Sequence, residues 1–221
     1  MRKINKLKKP QILVTYAVKW TQEYCSCLSA GQKPSEEVAS RYKHPTIKAT
    51  LEQETHEKCA YCESKIKHVT YGDIEHILPK NKDARPDLYV EWTNLTLACE
   101  QCNRSGKRTY YSPQLLLINP YIDDPEQHFN DIGPLIMPVP GDNRAYVTRN
   151  VLQLNRAALV ERRIERITLV EPLLTSWAKE QDIVVKELLE QELHDQYSED
   201  KEFSSTIKAY LYASGFPVRG N

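Results

Sequence analysis

Two short stretches, Cys59-Ala60-Tyr61-Cys62 and Cys99-Glu100-Gln101-Cys102, decide how this chain is read. Between them lie Tyr71-Gly72-Asp73-Ile74-Glu75-His76-Ile77-Leu78-Pro79 and Trp92-Thr93-Asn94-Leu95-Thr96-Leu97-Ala98. Each C-x2-C pair can turn two thiolates toward one tetrahedral ion, so Cys59, Cys62, Cys99 and Cys102 are expected to hold a single structural Zn²⁺. Such a site contributes about 10–16 kcal/mol in zinc-finger peptides, comparable with the stability of a whole domain. The plainer alternative, two unrelated pairs of buried cysteines, requires two metal-type spacings to coincide by accident. A thioredoxin-like pair would need a βαβ pattern around it, and neither knuckle has one. With no export signal in the sequence, disulfides are disfavoured. Cys25 and Cys27, one residue apart, are too close for an easy disulfide and read as free thiols.

Outward from this region, the 221 residues are 40% hydrophobic and 27% charged, enough for one core domain with appendages. No stretch approaches the roughly 18 apolar residues of a membrane span, and Ile12 to Trp20 is interrupted by Thr15 and Lys19, so a cytoplasmic chain is expected. Thirty basic residues balance thirty acidic ones, which argues against coating nucleic acid by bulk charge. Any such contact must be local.

The pattern predicts an α+β, mainly helical chain in four parts. Residues 1–57 form a basic arm with Arg2, Lys3, Lys6, Lys8 and Lys9, solvated or touching phosphate, then a helix started by Pro10 and another capped by Thr46 that runs to about His56. Residues 58–112 hold the knuckles, a strand from Ile74 to Leu78 ended by Pro79, and an approach through Trp92 to Ala98. Residues 113–150 are a proline-rich connector in which Leu135 to Met137 and Ala145 to Thr148 are expected to pair around a Pro140-Gly141-Asp142-Asn143 turn. Residues 151–221 are helical, with Asn155 as the cap of a long helix kinked or restarted at Pro172, and shorter helices around Ile183 to Leu193 and Phe203 to Tyr212.

A carboxylate beside a histidine, an Asn-Leu turn, and an asparagine directly after the second knuckle resemble the HNH endonuclease motif in its zinc-knuckle form. Its letters fall on His76, Asn94 and Asn103, and the resemblance implies a ββα-metal core flanked by N- and C-terminal helices. The residue types suit metal-dependent hydrolysis of DNA. A histidine near neutral pKa can take a proton from water, which makes His76 the candidate general base. Mg²⁺ prefers oxygen donors, so Glu75 and Asn103 are candidate ligands, and Asn94 would brace the loop presenting the base. Strand alternation places Glu75 and His76 on opposite faces and aligns Asp73 with Glu75, so Asp73 is an additional or substitute ligand. Many HNH members have Asp before the first His, where this chain has Glu75. Taken singly, His76 reads as a structural histidine, Glu75 as a surface charge and Asn103 as a helix cap. Lys107 and Arg108 read as phosphate contacts or solvated positions. His44, His56, His68, His128 and His194 have no catalytic company.

The flanks Lys58-Cys59-Ala60-Tyr61-Cys62-Glu63, Asn119-Pro120-Tyr121-Ile122-Asp123-Asp124-Pro125 and Leu152-Gln153-Leu154-Asn155-Arg156 are similar to the retron-associated and Septu-type HNH proteins. That resemblance implies antiphage defence by DNA cleavage together with an ATPase resembling PtuA. Between Cys59 and Tyr111 the basic residues, Lys67 among them, nearly balance the acidic ones, so substrate affinity is expected to come from elsewhere. The acidic C-terminal helices suit a basic protein surface better than DNA. The competing reading is a zinc-ribbon binding module without catalysis, in which Glu75-His76 and Asn103 coincide by chance.

Overall fold

Pro10 lacks the N–H that a helix start leaves unpaired, and its fixed φ of −56° leads directly into α1 (Gln11–Ser29). The computed structural model describes residues 1–66 and 71–219; Lys67 and His68 lie outside them. Ser35 caps a short α2 (Glu36–Ser40) through Val38 N. α3 (Pro45–Glu54) is capped two residues earlier than expected, by His44 rather than Thr46, because Pro45 supplies the first turn and the His44 ring accepts from Thr46 N.

The centre of the fold is a two-stranded antiparallel ribbon of β1 (Asp73–His76) and β2 (Leu95–Ala98), with Glu75 opposite Thr96 and His76 opposite Leu95. A wide helical turn, Gln101–Lys107, follows the second knuckle. Gly106 allows that turn to lie against the next layer: a Cβ there would stand 2.8 Å from the Val151 carbonyl oxygen. Strand, strand and turn give the expected ββα arrangement, and the chain is α+β and mainly helical.

The connector folds differently from the sequence reading. The hairpin forms upstream, from β3 (Phe129–Ile132) and β4 (Leu135–Pro138), turning at Gly133 with φ +56°. Ala145 to Thr148 instead belong to α4 (Asn143–Val151), because Asp142 caps the helix through Ala145 N at 2.8 Å. Asn155 is not a helix cap. Its side chain brackets β4, accepting from Ile136 N and donating to Ile136 O, both at 2.9 Å. α5 (Ala157–Lys179) then runs through Pro172 without restarting. α6 (Ile183–Asp195) and α7 (Ser204–Ala213) complete the chain.

Leu13, Ile47, Leu51, Tyr89, Trp92, Leu95 and Leu97 anchor the main core around the ribbon. A second, smaller cluster of Val170, Leu174, Leu193, Ile207, Leu211 and Phe216 joins α5, α6 and α7. Most of the basic arm is tied to the body of the protein, while Lys8 stays exposed. Lys6 Nζ donates to Glu54 Oε1 at 3.0 Å and to the Leu95 carbonyl at 2.6 Å, and stands 3.8 Å from the Trp92 ring centroid. Lys3 binds the Ile122 carbonyl and Arg2 the Tyr197 carbonyl. The arm therefore straps the two-stranded ribbon and α3 to the connector and the C-terminal helices. Among the described residues, no helix is long and apolar enough to cross a membrane.

Candidate active site

The four knuckle cysteines converge. The Sγ atoms of Cys59, Cys62, Cys99 and Cys102 all lie within 4.8 Å of one another, and three of the four residues are buried. Backbone bonds shape the cup: Cys59 N donates to Ser64 O and Ala60 N to Leu97 O, each at 2.9 Å, tying the first knuckle to β2. Four soft thiolates within one small sphere fit a closed, structural zinc site. Arg156, just ahead of α5, lays its guanidinium over the cup. Nη1 is 3.7 Å from Cys102 Sγ, and Nη2 is 3.8 Å from Cys99 Sγ and 3.9 Å from Cys62 Sγ. Four thiolates and one divalent ion leave a surplus of negative charge that this cation offsets. The sequence reading carried Arg156 only within a family flank.

His76 ends β1, and its ring is buried. Nε2 lies 2.8 Å from the Tyr89 carbonyl oxygen, and the Tyr42 ring packs edge-on against the imidazole with centroids 4.6 Å apart. A carbonyl only accepts, so Nε2 carries the hydrogen and Nδ1 keeps its lone pair. The pKa of His76 is not near neutral as expected: burial, followed by the nearby Lys80 charge, lowers it to about 3, so the imidazole stays in its proton-accepting form but is a weaker base.

Glu75 is not a surface charge. It is 4% exposed, and Lys107 Nζ approaches its Oε1 to 2.5 Å. The same ammonium donates to the His76 carbonyl at 2.8 Å. Burial pushes the Glu75 carboxyl above its ordinary range against the opposing pull of Lys107. Lys107 is itself 2% exposed, so it does not sit in solvent.

Asn94 is buried and bridges the loop after β1. Its Oδ1 accepts from Leu78 N at 2.8 Å, and its Nδ2 donates to Leu78 O at 2.9 Å and Leu88 O at 3.3 Å. Asn103 donates from Nδ2 to Asp73 Oδ2 at 3.1 Å. Asp73 is further engaged by Arg104, Nε to Oδ2 at 2.9 Å and Nη2 to Oδ1 at 2.7 Å.

Glu75 and His76, expected on opposite strand faces, both line one cavity of about 210 Å³ together with Asn103, Lys80 and Lys107. The strand ends at His76, so alternation no longer governs where its ring points. Asp73 opens instead into a neighbouring cavity bordered by Tyr42 and Lys48. A hard cation would meet suitable donors in the first cavity. Glu75 Oε1 is buried with no aligned hydrogen-bond donor despite its close ion pair, and the Asn103 amide oxygen accepts no hydrogen bond among the described residues.

Comparison with known proteins gives the same region. Residues 59–108 match the HNH endonuclease family model. The chain is 32% identical over 151 residues to the Septu protein PtuB of Bacillus mycoides (strain KBAB4), covering 55% of this chain and 51% of that protein. It is 32% identical over 154 residues to the Septu protein PtuB of Bacillus thuringiensis, covering 69% of this chain and 54% of the relative. The chain thus spans about half the length of the curated relatives it matches. No solved structure matches it.

Proposed function

Residues 59–108 belong to the HNH endonuclease family, and from that premise we propose that this chain hydrolyses DNA phosphodiester bonds in a Septu-type defence system, with a divalent cation in the site and an ATPase as partner. The observation that carries the reading is His76, a buried neutral imidazole whose Nε2 is committed to Tyr89 O, beside Glu75 and Asn103. In this reading Nδ1 of His76 takes the proton of the attacking water. Asn94 holds the loop after β1 to the Leu88 region, and so keeps the imidazole in place against Tyr89.

Glu75 and Asn103 would hold Mg²⁺ or a similar ion, which supplies charge neutralisation of the phosphate and of the leaving oxygen. Lys107 then shares Glu75 with the ion and keeps the carboxylate ionised when the ion is away. Asp73 orients Asn103 and Arg104 rather than binding the cation, since both of its oxygens already accept hydrogen bonds. Zn²⁺ in the four-cysteine cup is structural, with no open position for substrate. The PtuB likeness supports the partner assignment, and the zero net charge of the chain fits a nuclease that receives its DNA through another protein.

The deciding experiment incubates the purified chain, with and without the neighbouring ATPase, on supercoiled plasmid with Mg²⁺ or EDTA. Nicking or linearisation that needs the ion and vanishes in His76→Ala is expected. Plasmid left intact under all these conditions would return the chain to the class of zinc-ribbon binding modules.

A further inference from the structure

Lys80 and Arg108 both line the catalytic cavity with no acceptor among the described residues, and Lys80 is set apart by being partly buried where Arg108 is exposed. Lys107 is paired with Glu75, Arg104 with Asp73, and Lys48 with the carbonyl oxygens of Tyr71 and Gly72. Among the described residues, no hydrogen bond or ion pair reaches Lys80 Nζ. The side chain is partly buried and lines the cavity that contains Glu75, His76 and Asn103. Its ammonium lies over the Tyr42 ring, 4.8 Å from the centroid, while the same ring packs against His76 with centroids 4.6 Å apart. One aromatic ring therefore positions both the candidate base and a cation beside it. Burial lowers the basicity of Lys80 and Glu75 opposes that shift, which places the carboxylate within electrostatic reach. A half-desolvated ammonium held only by a π face and a field suits a site whose missing acceptor is an anionic oxygen of the ligand.

Resting on the nuclease reading above, we propose that Lys80 is a catalytic residue that donates to a non-bridging oxygen of the scissile phosphate and meets the negative charge that builds there. In that step the water oxygen forms a bond to phosphorus and the bond from phosphorus to the leaving sugar oxygen breaks. The proton of the water passes to His76 Nδ1, and the leaving oxygen takes a proton from solvent. The phosphate oxygens gain charge as the attacking oxygen closes in, and an ammonium already fixed by Tyr42 needs no reorganisation to receive it.

The test compares wild type with Lys80→Met and Lys80→Arg in the full chain, using Mg²⁺-dependent plasmid cleavage, binding of a short labelled duplex in EDTA, zinc content and thermal midpoint. Lys80→Gln replaces the methionine variant if that one loses zinc. We expect turnover at saturating plasmid to fall about 10²–10³-fold in the neutral variant, the effect of removing one preorganised donor. Duplex binding should change far less, and Lys80→Arg should recover part of the rate. A neutral variant cutting at the wild-type rate, or one losing only duplex affinity, overturns the assignment of Lys80 alone. A wild-type protein that leaves plasmid uncut overturns the nuclease reading and this assignment together.

Discussion

Nε2 of His76 and the carbonyl oxygen of Tyr89 lie 2.8 Å apart, so the tautomer of the candidate base is set by the backbone of a residue thirteen positions downstream. Tyr89 is itself fixed, stacked on Tyr24 with centroids 4.1 Å apart and hydrogen-bonded through its hydroxyl to the Val38 carbonyl. This makes α1 and α2 supports of the site. With its proton acceptor removed, His76→Ala should cleave plasmid about 10²–10⁴-fold more slowly while keeping its zinc. Undiminished cleavage would show that another group is the base.

Acid should weaken the fold through the same residue. The ordinary histidine pKa of 6.5 falls to about 3 in the folded chain, so between those values the unfolded chain binds a proton that the folded chain refuses. The stabilisation is complete above the unfolded pKa and is lost as pH drops toward the folded one, about 2 kcal/mol of it by pH 5. Urea unfolding of wild type and His76→Gln should therefore show a stability gap that narrows from about pH 7 to about pH 5. Acid release of zinc weakens both proteins alike, so it drops out of the comparison, and a gap that stays constant would contradict the neutral buried state.

The knuckle spacing, the order of His76, Asn94 and Asn103, and most helices were legible in the sequence, because they rest on local rules: ligand spacing and periodicity. What was not legible depended on contacts distant in the chain. Lys107 looked like a surface basic residue until the wide turn carried it under β1 onto Glu75. Arg156 is far from the cysteines in sequence and meets them only because α4 and α5 fold back over the cup. Ala145 to Thr148 suit a strand or a helix equally, and the Asp142 cap decided between them. Lys6 looked solvated because nothing local announces Glu54 and Trp92 as its partners.

Arg156 is predicted to tighten the zinc site from outside it. Its guanidinium donates toward three of the four Sγ atoms, at 3.7 to 3.9 Å. Arg156→Gln should weaken zinc affinity about 10–100-fold, the usual effect of removing a group that supports metal ligands. Competition with a chromophoric chelator measures it directly. Cys102→Ser should go further and lose both zinc and soluble fold. An affinity in Arg156→Gln equal to that of wild type would reduce Arg156 to a packing residue.

Breaking the Glu75–Lys107 pair from one side should be worse than removing it altogether. Both side chains are almost wholly buried, and a lone buried carboxylate costs about 3–5 kcal/mol. Lys107→Met alone should therefore lower stability by about that much, while Glu75→Gln with Lys107→Met should recover much of the loss. A double-mutant cycle by urea unfolding reads the coupling. Additive effects would mean that the two groups do not stabilise each other despite their 2.5 Å separation.

The last prediction concerns the partner. Leu169 on α5 and Ile183, Val184 and Leu188 on α6 are 74%, 74%, 66% and 60% exposed. Glu187, Glu192 and Asp195 are exposed on α6 itself. Exposed apolar side chains interspersed with carboxylates along α6 repel DNA and suit a protein surface that carries basic and apolar groups. Deleting these helices would be a poor test, because Ser204 and Ser205 at the start of α7 hold the buried Glu63 carboxylate and Phe203 belongs to the main core. Point changes avoid that. Ile183→Lys with Leu188→Lys should leave zinc content and thermal midpoint unchanged yet reduce co-purification with the PtuA-like ATPase at least about tenfold, the effect of losing roughly 1.4 kcal/mol of interface energy. Full retention of the ATPase by that double variant would move the interface away from the α5–α6 hairpin.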